Sequence, residues 1–297
     1  MKDFIKKVFW FLFIPGVLYV PFNLLLLPLL LEQKMGPNIE QQLQHSFSKA
    51  AERNYDMVVL GNSRIFCSVN PDKFSIPTYN FSHNNDSYNQ LYYKLIWLEK
   101  KNKKVSQVIL GVDYFQFGVF ADTRNYVYSN YLGKDYDKDY PKKNYKLYYY
   151  KELLKPSKIK ALFDENQEKH SLKDNGQYVR LGSPKDEEFI KRDYKRKAIQ
   201  EQYFQKILDY CKSKSIKVYL LMPPLREAEL KNYTEKEISE FNVFINQHID
   251  EPAVFYFNFS TDPSYKWNDF IDFTHLNQKA ADRFSRQLND SIVKKSK

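Results

Sequence analysis

The sequence predicts an α/β domain on a parallel sheet with helices on both faces, carried behind an N-terminal membrane-spanning helix. Three observations predict it. Short apolar runs at 56–60, 105–115, 215–224 and 253–259 alternate with stretches of helical period. They are apolar runs rather than alternating patterns, as in strands buried on both faces. Residues 8–31 hold no ionisable group except Tyr19.

That last run follows a basic start, MKDFIKK. It exceeds the roughly 20 residues that span a bilayer. It is also longer than the h-region of a cleavable signal peptide and lacks a small-residue cleavage end. It therefore reads as an uncleaved signal anchor, kinked at Pro15, Gly16 and Pro21. Lys2, Lys6 and Lys7 precede it, while Glu32 and Lys34 cancel just after it. The positive-inside rule then puts the N-terminus in the cytoplasm and the domain outside, on a periplasmic or extracellular face. Residues 1–33 form the anchor, 34–54 an amphipathic linker helix, and 55–297 the domain.

Within the domain, 56–60 is a buried strand ending at Gly61, where the chain is expected to turn sharply. A short strand at 77–81 follows, then a helix over 87–102, where Leu91, Leu95, Ile96 and Leu98 recur at near-helical spacing. The strand over 105–115 leads to an insertion at 118–185, rich in Tyr, Lys and Asp and partly helical near 147–164. It reads equally as a lid or substrate platform and as a solvated decoration. A helix over 186–214, the strand 215–224 stopped by two prolines, a helix over 234–248 and the strand 253–259 follow. Asn277 caps a last helix, 278–294.

Composition narrows the function. The 297 residues carry a net charge of +10, with 46 basic and 36 acidic residues interspersed, which reads as a solvated surface compatible with an anionic partner. No zinc-finger spacing, RNP-like run or basic helix points to nucleic acid. Cys67 and Cys211 form no disulfide framework and read as buried thiols. The 24 Tyr and 23 Phe read as core packing before a carbohydrate-stacking surface. No nucleotide-binding motif or metal-ligand spacing occurs, so no metal or nucleotide cofactor is expected.

Ser63 stands at the carboxyl end of a core strand, where parallel α/β folds bind ligands. A serine there is an ordinary helix cap unless a base lies nearby. Asp272 and His275, in DFTHLN, supply one: the carboxylate can fix the imidazole tautomer while the ring takes the serine proton. Of the five histidines, only His275 follows an Asp by three residues, with a helix start behind it.

These residues, Gly61-Asn62-Ser63 near the start and Asp272-x-x-His275 near the end, resemble the SGNH/GDSL hydrolase superfamily. Its membrane-anchored cell-envelope branch, which includes the DltD and alginate O-acetylation proteins, is the most similar. The resemblance covers 56–117 and 215–290. It implies a three-layer α/β/α flavodoxin-like fold and a Ser63–His275–Asp272 site. It implies as substrate an O-acyl group on a cell-envelope glycan or related polymer, hydrolysed or transferred, with a membrane-bound O-acyltransferase as partner. Two departures bear on the oxyanion hole. The second block, NFSHNNDS at 80–87, lacks its glycine, so that Asn84 or a neighbouring N–H stands in for it. The third block carries Asp113 where the family has an amide donor, and a carboxylate accepts only. Asn62 and Arg64 join Asn84 and Asp113 as expected oxyanion or substrate-binding residues, Arg64 as a positive charge or as the partner of an acid. The departures leave a competing expectation: a catalytically weak or inactive domain that binds polymer or the acyltransferase.

Overall fold

The computed structural model describes residues 1–121, 124–139, 145–164, 169–182 and 195–295. Helix α1 (Lys2–Pro21), a π-helical turn (Phe22–Leu26) and α2 (Leu27–Met35) run as one 34-residue helix. It is long and apolar enough to cross a membrane. Gly36, at φ +107, ends it, and α3 (Ile39–Glu52) starts in a capping box between Asn38 and Gln41.

The domain then runs β1 (Met57–Leu60), α4 (Ser63–Ser68), β2 (Thr78–Asn80), α5 (Tyr88–Lys100) and β3 (Gln107–Gly111). Next come α6 (Asn125–Leu132), α7 (Lys134–Asp137), α8 (Tyr145–Leu153), α9 (Pro156–Phe163) and a hairpin of β4 (Lys169–Leu172) and β5 (Tyr178–Leu181). The chain closes with α10 (Ala198–Ser213), β6 (Lys217–Met222), α11 (Glu227–Leu230), α12 (Glu235–Asn246), β7 (Val254–Asn258) and α13 (Gln278–Lys295).

The main sheet has five parallel strands in the order β2-β1-β3-β6-β7. Its order reverses between β1 and β3, so the two chains leaving those strands diverge and open a crevice at their carboxyl ends. Successive residues of each strand feed opposite layers. Val58, Leu60, Val108, Leu110, Val218 and Leu220 pack with α3, α5, α10 and α12. Met57, Val59, Ile109, Tyr219 and Leu221 pack with α13.

The insertion divides in two. Tyr126, Val127, Tyr128, Leu132 and Tyr136 are buried in the main core, so its first helices are neither lid nor decoration. Residues 186–194 of the expected long helix lie outside the described residues. Its described part begins at Ala198, because Lys197 is extended and donates its N–H to Phe117 O at 3.0 Å, which fixes the entry angle.

Gly61 does not serve a sharp left-handed turn, since its φ is not positive. A Cβ on Gly61 would lie 2.6 Å from Ile65 Cγ1, and one on Gly111 2.4 Å from the same atom. Both glycines make room for Ile65, which seats α4 across the two central strands. Gly111→Ala is expected to destabilise the fold by about 1–3 kcal/mol through overpacking, read as a lower urea midpoint with unchanged slope.

Candidate active site

Asn62 is the N-cap of α4, its Oδ1 accepting from Arg64 N at 3.0 Å. Ser63 is therefore the first helical residue, directly beyond the carboxyl end of β1. Its backbone N–H has no hydrogen-bond partner among the described residues.

The other half of the site lies 212 residues along the chain. Asp272 and His275 are not on a helical turn. They sit in a tight loop closed by an antiparallel bridge between Phe270 and Leu276, with Ile271 N donating to His275 O at 2.9 Å. Asn277 then caps α13, its Oδ1 accepting from Ala280 N at 3.0 Å.

This loop brings the three side chains into one line. His275 Nδ1 lies 2.7 Å from Asp272 Oδ2 and 2.9 Å from Oδ1, and His275 Nε2 lies 2.9 Å from Ser63 Oγ. A carboxylate only accepts, so Nδ1 carries the proton and Nε2 is free to accept from Ser63. Asp272 Oδ1 also accepts from Thr274 N at 2.7 Å and His275 N at 2.9 Å. Arg180 Nη1 donates to Oδ2 at 2.6 Å. So many donors leave the carboxylate little freedom to rotate.

Sequence reasoning missed Arg180. It comes from β5 in the insertion, and Y-V-R-L gave no sign of where it would dock. The hairpin presses on the sheet edge. Gly176, at φ +88, approaches Asn80 O so closely that a Cβ would lie 2.0 Å from it, and Asn80 N donates to Asn175 O at 3.0 Å. Tyr178 stacks on Phe66 of α4 at 5.0 Å. Opposite Arg180 in the hairpin register is His170, whose Nε2 lies 3.1 Å from Pro37 O.

The four remaining expected residues fall differently. Asn62 gives its amide to Asp113 Oδ2 at 2.6 Å and Gln116 Oε1 at 3.3 Å, so its donors are committed to the protein. Asp113, 2% exposed, holds Asn62 and accepts from Phe115 N and Gln116 N. Arg64 is 2% exposed and pairs with Glu229, with the Phe115 ring 4.7 Å away, so it is the partner of an acid. These three brace the serine from behind and do not present donors to a substrate. Asn84 is half-buried, with Oδ1 lacking a hydrogen-bond partner among the described residues. Its loop is stapled to the serine strand by His83 N donating to Gly61 O at 3.2 Å. The His83 ring is fully buried and lies 4.9 Å from the Phe66 ring.

Electrostatics set the protonation states. Burial, and then the Arg180 charge, lower His275 to about 4 against the opposing pull of Asp272. Burial raises Asp272, but the His275 hydrogen bond and charge, with Arg180, outweigh it and hold the carboxyl well below its ordinary range. At neutral pH the ring is therefore neutral and able to accept a proton.

Among the described residues, no group of His, Cys, Asp and Glu is arranged to hold a metal ion. A cleft of about 580 Å³ lies between the segments after β6 and β7, lined by Arg226, Tyr265 and Trp267 among others. It reaches the triad loop at Arg226, whose guanidinium lies 4.5 Å from the Phe273 ring centre.

No family model matches this chain, and no curated protein matches it. Among solved structures, one described as "a putative platelet activating factor from Streptococcus pneumonia" is similar, with 10% identity over 86% of this chain and 94% of that chain. Its TM-score of 0.43 is too low for the likeness to carry an argument.

Arg180→Gln removes a positive charge that disfavours the imidazolium, so the His275 titration is expected to rise from about 4 toward the ordinary histidine value. Ring NMR of His275 across pH checks this without any substrate.

Proposed function

We propose that this chain is a membrane-anchored, SGNH-like serine esterase or O-acyltransferase acting on a cell-envelope glycan or related polymer. One observation carries the reading: the unbroken line from Ser63 Oγ through His275 to Asp272 at the carboxyl edge of a parallel sheet. Supporting it are the GxS and DxxH blocks in family order and the long apolar helix at the N-terminus.

The chemistry follows from the geometry. Ser63 Oγ attacks the ester carbonyl carbon as its proton passes to His275 Nε2. Asp272 accepts from Nδ1 and stabilises the imidazolium. Charge develops on the carbonyl oxygen, and the free Ser63 N–H is a donor for it. Asn84, on the adjoining loop, stands where the family's second block supplies another. The intermediate collapses, the alcohol leaves with the proton from His275, and an acyl group remains on Ser63. Water then regenerates the serine and releases the acid. In transfer, a glycan hydroxyl takes the place of water, and the acyl group comes from a membrane-bound O-acyltransferase. None of these steps needs a cofactor.

A second reading keeps one observation on its side. Asp113 replaces an amide donor and Asn62 is committed to it, which favours a catalytically weak domain that binds polymer or the acyltransferase. Against it stands the 2.9 Å between Ser63 Oγ and His275 Nε2.

Acetyl-ester release by the full chain is expected to fall about 10⁴–10⁶-fold in Ser63→Ala and His275→Ala, and about 10⁴-fold in Asp272→Asn. Fluorophosphonate labelling of Ser63 is expected in the unaltered chain and absent in Ser63→Ala. Equal ester release by all of these proteins would sink the triad, and failure to label would favour the binding reading.

A further inference from the structure

We infer that the helical pair α8–α9 is seated in the outer leaflet of the membrane beside the anchor, as a second and non-spanning lipid contact. This rests on the reading of residues 8–31 as a membrane span.

The depth of the pair follows from the anchor itself. Along a helix each residue rises about 1.5 Å, so residues within one turn share a depth. Asn23 and Leu27 are both 0% exposed, in the stretch of the helix against which α8 and α9 pack. Leu25, Leu26 and Leu29, at the same level, are exposed on the helix surface. A level at which leucines face lipid is a level at which the covering helices also sit in lipid. Asn23 agrees with this: its amide donates to Tyr19 O at 2.7 Å, and the residue is shielded by protein where an exposed amide would be costly.

The attachment is polar as well as apolar. Tyr19 donates its hydroxyl to Leu154 O at 2.7 Å, at the turn between α8 and α9. Lys34 Nζ donates to Leu162 O and Asp164 O, both at 2.7 Å, closing the C-terminal end of α9. The pair is thus fixed to the anchor at two levels, from Tyr19 outward to Lys34.

Its outer surface suits an interface. Leu147, Tyr150 and Phe163 are exposed, as are Lys151, Lys155 and Lys160. Glu152 is the one acid between 145 and 163, and it pairs with Lys155 at 2.5 Å. Leu147, Tyr150 and Phe163 offer acyl chains apolar contact, while the lysines carry their charged heads toward the headgroups on long stems.

Depth-dependent quenching tests this on the full chain in phosphatidylcholine–phosphatidylglycerol nanodiscs. Cys67 and Cys211 are buried, so bimane placed by Leu147→Cys or Tyr150→Cys reports on one exposed position. Lipids brominated on the acyl chains are the quencher, with Leu25→Cys as the anchor reference and Val243→Cys, exposed on α12, as the aqueous reference. Quenching at 147 and 150 of at least half that at 25, with none at 243, is expected. Strong quenching at 25 with positions 147 and 150 behaving like 243 overturns the inference while sparing the anchor. Loss of quenching at 25 itself overturns both.

Discussion

Ile65 lies across the carboxyl ends of the two central strands, and it fits there because Gly61 and Gly111 carry no side chain. That packing brings α4 down onto the sheet immediately after β1. It leaves Ser63 at the head of the helix with a free N–H and a hydroxyl facing the chain's last segment. Asn62 fixes the same point from the polar side, capping α4 with its carbonyl oxygen and gripping Asp113 with its amide. Asp113 therefore serves the position of the serine rather than the oxyanion.

The second half of the site is assembled by parts of the chain that share no local signal. Asp272 orients His275 and is itself held by Arg180 from the insertion. Arg180 stands opposite His170, and His170 touches Pro37, where the chain leaves the long N-terminal helix. One short hairpin thus spans from the end of the long N-terminal helix to the aspartate. The charge of Arg180 also lowers His275, so this contact sets the ring's titration as well as its geometry. Nothing in the order of residues between 118 and 185 announces either contact.

The legible part of the molecule was the part governed by local pattern. β1, β3, β6 and β7 were marked by apolar runs, because strands covered on both faces cannot carry polar side chains. Helices α3, α5, α12 and α13 were marked by period and caps, and their ends moved by only a few residues. The start of α10 was not legible, because a tertiary hydrogen bond from Lys197 sets it. The β4–β5 hairpin was missed because its strands have only four residues each and pair mainly with one another. For Arg64 two readings stood open; burial beside Glu229 decided between them.

By itself the sequence determined the parallel α/β class, the long apolar helix at the start, and the companionship of Asp272 with His275 three residues on. Each of these follows from residue type and near-neighbour order. Tertiary structure alone decided the 2.9 Å contact between serine and histidine and the reason for the two glycines. It also decided the commitment of Asn62 and Asp113 to each other and the arrival of Arg180 at the aspartate. The physical reason is the same in each case: these depend on distances between side chains far apart in the chain, and packing fixes such distances.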